Sequence, residues 1–248
     1  MMSNFTIVIT TFSKRYGYIE KLIREIRSYS ENKIIVIING EKDGDFDNDY
    51  RKKMLSLCEN YNDVYPNFFI ETRGLCKMWN TGIIISDKEN VLILNDDIEI
   101  KSPDIFNKTN EHISSEQYHG LTRINNSFSH FIVNKDLINK LGYFDERLLG
   151  FGEEDGDIVY RLLKINVPLI NIYANDVINI VSDIRHEHIK KGIGKYSNFN
   201  REFIYGSKYI PNKDSQYKGM FDTPMDQALP DLNQYPFESF FKENKTKL

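Results

Sequence analysis

The chain has 248 residues, of which 40% are hydrophobic and 27% charged, and a formal net charge of -4. This is the composition of a soluble globular protein with enough chain for one large α/β domain or two small ones. The acidic balance argues against a nucleic-acid binder that works through a broad basic face. Met1-Met2-Ser3-Asn4 leads straight into an apolar run without a basic region or small-residue cleavage site, so no signal peptide is expected. No apolar stretch approaches the ~18 residues of a membrane span, so the protein is expected to be soluble or at most peripheral to a membrane. Cys58 and Cys76 form neither a metal-ligand spacing nor a disulfide framework, which points to a reducing cytosol.

Taken in order, Phe5 to Phe12 reads as a buried strand. Ile19, Leu22, Ile23 and Ile26 then form the stripe of an amphipathic helix between about Tyr18 and Tyr29. Lys33 to Ile38 gives a second buried strand, closed by the turn dipeptide Asn39-Gly40. Strand, helix and strand within about thirty residues make a βαβ unit with a right-handed crossover. A polar loop over 42–48 precedes a helix over 50–60, a short strand at Phe68-Phe69-Ile70, a helix from Cys76 to Ser86 and the strand Val91-Leu92-Ile93-Leu94. This alternation predicts a mostly parallel sheet covered on both faces. Beyond it, a strand is expected at Ser129 to Val133 and helices at Lys135 to Leu141 and Ile158 to Lys164. Further strands are expected within 167–173 and 177–181. No linker stands out, so one domain over 1–208 is expected, with the aromatic segment 209–248 as a tail that wraps over it.

Three clusters carry possible chemistry. The fourth strand runs into Asn95-Asp96-Asp97, and adjacent carboxylates repel unless a cation or hydrogen-bond donors compensate them. Oxygen ligands at the carboxyl end of a strand suit Mg²⁺ or Mn²⁺, although Asn and Asp are also ordinary turn residues. Glu153, Glu154, Asp155 and Asp157 open a helix after the turn Gly150-Phe151-Gly152. A helix N-terminus accounts for one or two of these carboxylates, and mutual repulsion leaves the remainder unexplained. Crowding of like charges raises a carboxyl pKa, which suits a general base. Ile184-Arg185-His186-Glu187-His188 offers imidazoles beside Asp183, a mixed ligand set compatible with Mn²⁺. Arg73-Gly74 and Asn80-Thr81-Gly82 bracket a helix start, where backbone amides can meet a phosphate, but packing is the plainer role for Gly82. The loops of P-loop NTPases, ordinary dinucleotide enzymes and serine hydrolases do not occur.

Over residues 5–190 these elements resemble the GT-A fold glycosyltransferases of family 2 type. Thr10-Thr11-Phe12 resembles the end of that family's first strand, Asn80-Thr81-Gly82 its Asn-x-Gly, and Asn95-Asp96-Asp97 its Asp-x-Asp motif with Asn in first place. Asn39 stands where the family usually has an acid that contacts the nucleotide base. Gly142-Tyr143-Phe144-Asp145-Glu146 and the segment 150–157 resemble the β-1,4-galactosyltransferase group, as does Ile184-Arg185-His186. The resemblance implies a Rossmann-like sheet flanked by helices and an inverting, metal-dependent transfer from a nucleotide sugar, UDP-linked, to a hydroxyl of a glycan or lipid-linked saccharide. It implies Mn²⁺ or Mg²⁺ at Asp97 and His186, and donor contacts from Thr10, Thr11, Asn39, Arg73, Asn80, Asn95 and Asp96. Asp155 is then the base and Glu154 orients the acceptor. A role in polysaccharide or glycolipid assembly on the cytoplasmic side follows from the same resemblance. Two alternatives stay open. A nucleotidyltransferase would carry a glycine-rich basic loop where Thr11-Phe12-Ser13-Lys14-Arg15 stands, and a silent sugar-nucleotide-binding domain would account for Asn39 and Asn95.

Overall fold

The computed structural model describes residues 4–12, 15–40, 47–180 and 193–203. The elements run β1 (Phe5–Thr11), α1 (Tyr16–Tyr29), β2 (Ile34–Ile38), α2 (Asn48–Glu59), β3 (Val64–Phe68), α3 (Leu75–Ile85), β4 (Asn90–Asn95) and β5 (Ile98–Ile100). They continue with α4 (Asp104–Ile113), β6 (Leu121–Ile124), β7 (Ser127–Asn134), α5 (Lys135–Leu141), α6 (Glu154–Lys164), β8 (Ile170–Ile172), β9 (Val177–Asn179) and α7 (Ile193–Phe203).

The chain divides into two compact units. The first comprises residues up to Arg73, Thr81–Leu137 and Ile170–Val181. It contains a seven-stranded sheet of order β3-β2-β1-β4-β7-β6-β8 and the ribbon β5-β9. β3, β2, β1 and β4 run parallel, β7 is antiparallel to both its neighbours, and β6 and β8 are parallel again. The sheet is therefore mostly parallel. Its central strands carry the apolar runs Ile7–Ile9 in β1, Ile34–Ile38 in β2 and Val91–Leu94 in β4 because both of their faces are buried. On one face Ile7, Ile9, Val36, Ile38, Leu92 and Leu94 share a core with Ile19, Leu22, Ile23 and Ile26 of α1. Those four α1 side chains are fully buried, worth about 2 kcal/mol each.

β3 departs from the expected Phe68-Phe69-Ile70 and lies earlier, on Val64–Phe68. Among the described residues it pairs only with β2, and an edge strand tolerates Pro66, which has no amide hydrogen to donate to a second neighbour. α6 begins at Glu154, ahead of the expected Ile158, so its acidic residues occupy the first turn. The expected tail 209–248 lies outside the described residues.

The second unit comprises Gly74–Asn80, Ile138–Leu169 and residues from Ser182 onward. Trp79 packs edge-on against Phe144 with ring centroids 4.9 Å apart. Arg161 of α6 is fully buried, paired with Asp157 at 2.9 Å, and donates to the carbonyls of Leu141 and Gly142 at 3.1 and 3.0 Å. It thus caps the C-terminus of α5 and joins α6 to it.

Within the first unit, a Cβ at Gly82 of α3 would overlap Cγ1 of Val8 on β1. Val8 is fully buried and β-branched, so its χ1 is restricted and it has little room to give way. Gly82→Ala should therefore cost about 1–3 kcal/mol in denaturant unfolding. Adding Val8→Ala should return part of that loss; strictly additive effects in the double mutant would show that the two sites do not touch.

Candidate functional site

In the first unit, the carboxyl ends of β1, β2 and β4 gather seven of the expected residues. The parallel register sets Thr10 beside Asn95, and the Thr10 hydroxyl donates to Asn95 Oδ1 at 3.0 Å. One residue on, the Thr11 hydroxyl donates to Asp96 Oδ2 at 2.6 Å, and Arg15 Nη1 donates to Asp96 Oδ1 at 2.5 Å. Asp96 is only 2% exposed. Burial pushes its carboxyl up to about 6, against the opposing pull of Arg15 and Thr11. Thr10, Thr11, Asn95 and Asp96 thus form a buried joint between β1 and β4.

Asn39 follows β2 directly and is 1% exposed. Its Oδ1 accepts from the amides of Arg73 at 2.7 Å and Gly40 at 3.0 Å, while its Nδ2 donates to the Arg73 carbonyl at 2.8 Å. The side-chain amide acts as a substitute peptide group and clasps the Arg73 backbone. Thr72 adds a bond from its hydroxyl to the Gly40 carbonyl at 2.9 Å. Gly40 lies so close to the backbone of Glu71 that a Cβ would collide with it.

Asp97 follows this joint. Its Oδ1 is buried and has no hydrogen-bond partner among the described residues. Mg²⁺ and Mn²⁺ are commonly held by one or two carboxylates, with waters and substrate phosphates completing the shell. An orphaned carboxylate oxygen at the end of a central strand fits that role. No group of three or more His, Cys, Asp or Glu converges on a metal position among the described residues. His186, the other expected ligand, lies outside them.

The second unit holds Asn80, Glu154 and Asp155. Asn80 is fully buried and also clasps a backbone: Oδ1 accepts from the Phe144 amide at 3.0 Å and Nδ2 donates to the Phe144 carbonyl at 2.8 Å. Nδ2 also reaches Glu146 Oε1 at 3.0 Å, and Lys77 Nζ lies 3.7 Å from Glu146 Oε2. Asp145 accepts from Nε and Nη2 of Arg147 at 2.9 and 2.7 Å.

The four carboxylates at the start of α6 separate by surroundings. Asp157 is held by Arg161, and Glu153 by Nη2 of Arg201 at 2.7 Å. Asp155 is exposed and accepts from the Gly156 amide at 2.8 Å. Glu154 is 9% exposed and its Oε2 has no hydrogen-bond partner among the described residues. Burial pushes the Glu154 carboxyl up to about 7, with Asp155 and Glu153 adding repulsion. A carboxyl of this kind exchanges protons near neutral pH.

Sequence reasoning missed Arg15 as the partner of Asp96. Its signal was electrostatic: two adjacent acids at a strand end demand a cation, and Arg15 follows the neighbouring parallel strand. Lys77 and Glu146 gave no comparable signal.

No family model and no curated protein matches the sequence. Solved structures do match. A mannosyltransferase from Pyrobaculum calidifontis, PcManGT, solved with GDP-Man and Mn²⁺, superposes with a TM-score of 0.62 at 13% identity, over 76% of this chain and 59% of that one. The chain has the GT-A fold. GalNAc-T7, solved with UDP, GalNAc and Mn²⁺, matches the same fold with a TM-score of 0.57 at 10% identity, over 69% of this chain and 42% of that one. S. aureus TarS gives 0.55 at 15% identity, over 83% of this chain and 44% of that one. The chain thus spans about half the length of these GT-A proteins.

Two outcomes test the local electrostatics. Arg15→Met leaves Asp96 buried without its cation and should lower stability by about 3 kcal/mol, read by denaturant unfolding; a loss below 1 kcal/mol would mean the pair is screened. Glu154 titrates at about 7 in the native state against an ordinary value of 4.5, so its favourable contribution is complete below 4.5 and disappears as pH rises through 7. Glu154→Gln, neutral throughout, should therefore raise the melting temperature relative to the parent at pH 8 and lose that advantage by pH 4.5.

Proposed function

We propose that this chain is a metal-dependent, inverting glycosyltransferase that moves a sugar from a nucleotide sugar to a hydroxyl of a saccharide acceptor. The observation that carries the reading is Asp97, whose buried Oδ1 has no hydrogen-bond partner among the described residues and lies just past the end of a central strand in a GT-A fold. The Mn²⁺ and nucleotide or nucleotide sugar named with PcManGT and GalNAc-T7 support it.

Asp97 would hold Mn²⁺ or Mg²⁺, with His186 as the further ligand that the family resemblance implies. When bound, that cation stabilises negative charge on a diphosphate leaving group. Arg73, whose backbone the Asn39 clasp holds and whose Nη1 donates to Glu71 Oε2 and to the Thr72 carbonyl, adds a guanidinium for a donor phosphate. Asp155 takes the proton of the acceptor hydroxyl as that oxygen forms its bond to the anomeric carbon and the bond to the diphosphate breaks on the opposite side. This single displacement inverts the anomeric configuration and needs no covalent nucleophile. Glu154, titrating at about 7, both donates and accepts hydrogen bonds at neutral pH and orients the acceptor's hydroxyls. Thr10, Thr11, Asn95 and Asp96 serve by holding Asp97 in place, and Asn80 by holding the backbone at Phe144.

The donor is UDP-linked in this reading, and the acceptor is a glycan or lipid-linked saccharide in polysaccharide or glycolipid assembly on the cytoplasmic side. No helix among the described residues is long and apolar enough to cross a membrane.

A panel of UDP- and GDP-hexoses with Mn²⁺, assayed for nucleotide release, tests the proposal. Asp97→Ala should lower turnover by roughly a thousandfold. Asp155→Asn should lower turnover by a similar factor while UDP–Mn²⁺ binding stays within about twofold. Absence of Mn²⁺-dependent binding by any nucleotide sugar would sink the assignment, and equal loss of binding and turnover in Asp155→Asn would remove the base role.

A further inference from the structure

We infer that Asn200 of α7 is a positioning residue for the turn that presents Glu154 and Asp155. The inference rests on the catalytic reading of Asp155 given above. Asn200 is fully buried. Its Oδ1 accepts from the Leu149 amide at 2.7 Å, and its Nδ2 donates to the carbonyls of Leu149 at 2.9 Å and Gly152 at 2.7 Å. One side chain therefore satisfies three backbone groups of a loop that has no strand or helix of its own to pair with.

That loop needs such support. Gly150, Gly152 and Glu153 all have positive φ, at 59°, 106° and 73°. For Glu153 this conformation is unfavourable, and surrounding structure must impose it. Glu153 is also the N-cap of α6 and makes no side-chain cap of its own. Its backbone angle thus sets the direction in which the first turn of α6 leaves the loop, and with it the direction of Asp155.

α7 supplies the constraint at several points. A Cβ at Gly152 would overlap the Ser197 hydroxyl, so α7 lies directly on the loop backbone. Arg201 grips Glu153 through Nε at 3.2 Å and Nη2 at 2.7 Å. On the other side, the Leu75 amide at the start of α3 donates to the Gly150 carbonyl at 2.7 Å. The loop is held between these two helices, and Asn200 makes three of its bonds. A carboxylate that must meet an attacking hydroxyl tolerates little misplacement, since an error of about 1 Å can cost a hundredfold in rate. The position of α7 is therefore part of the catalytic machinery although Asn200 touches no substrate.

The test compares the full chain with Asn200→Ala and Arg201→Ala, using amide hydrogen exchange, UDP–Mn²⁺ binding and nucleotide release from the best donor of the hexose panel. Asn200→Ala should speed exchange at Leu149 and at Asp157, whose amide donates to the Glu153 carbonyl, while amides of β1 and β4 stay protected. Turnover should fall by roughly thirty- to a hundredfold with UDP–Mn²⁺ affinity unchanged. Unchanged turnover per folded molecule, with only a lower melting temperature, would make the role structural and overturn the inference. If Asn200→Ala does not fold, Arg201→Ala decides. It removes a half-exposed side chain, and should cut turnover about threefold or more at an unchanged melting temperature; no change overturns the inference. Failure of every nucleotide sugar to turn over would defeat the catalytic reading instead, and the exchange at Leu149 and Asp157 would still report whether Asn200 holds the loop.

Discussion

The arrangement at the carboxyl end of β4 depends on keeping Asp96 charged, or nearly so, while it is shut away from water. Two adjacent carboxylates at that point repel each other, and burial opposes ionisation of the inner one. Arg15 and Thr11 supply the compensation, and both come from the end of the neighbouring parallel strand or just beyond it. The charge requirement thereby becomes a geometric one: β1 and β4 must end at the same level, with Thr10 and Asn95 linked one step before. Asp97 inherits a fixed position from this joint. A surface turn carrying the same three residues would leave its carboxylates mobile and hydrated.

A second device recurs in both units. Asn39, Asn80 and Asn200 each accept from the amide and donate to the carbonyl of a single residue, namely Arg73, Phe144 and Leu149. Asn125 does the same to Ala174. An asparagine side chain is a peptide group on a short stem, so it can complete a two-bond pair with irregular backbone where no strand is available. In the first unit this fixes Arg73. In the second it fixes the loops around α6. Buried polar groups fully satisfied in this way specify one loop conformation.

What was legible in the sequence follows from how each element meets its surroundings. β1, β2 and β4 are buried on both faces and write themselves as apolar runs, and α1 carries a clean apolar stripe. α4 was missed because its buried face includes Thr109 and His112 beside Ile105 and Phe106, which blurs the period. α7 was missed because the buried side chain among its described residues is a polar one, Asn200. At the candidate site, the order of motifs pointed to strand ends and a helix start, but not to what their side chains bond to. Asp96, Asn39 and Asn80, expected as donor contacts, hydrogen-bond to Thr11 and Arg15, to Arg73 and Gly40, and to Phe144 and Glu146. That distinction depends on which backbone each side chain faces, and residue spacing does not encode it.

The clasp at Asn39 has a chemical consequence. Asn39 precedes Gly40, and an Asn-Gly pair is where a side-chain amide is most readily lost, because the following backbone nitrogen meets no side chain as it attacks the amide carbon. In the native state both amide atoms of Asn39 are bonded and the Gly40 nitrogen donates to Oδ1, so the attack would have to break the clasp first. Deamidation would place an acid at the end of β2 and remove the donor to the Arg73 carbonyl. Any loss of this amide is therefore limited by how often the end of β2 opens.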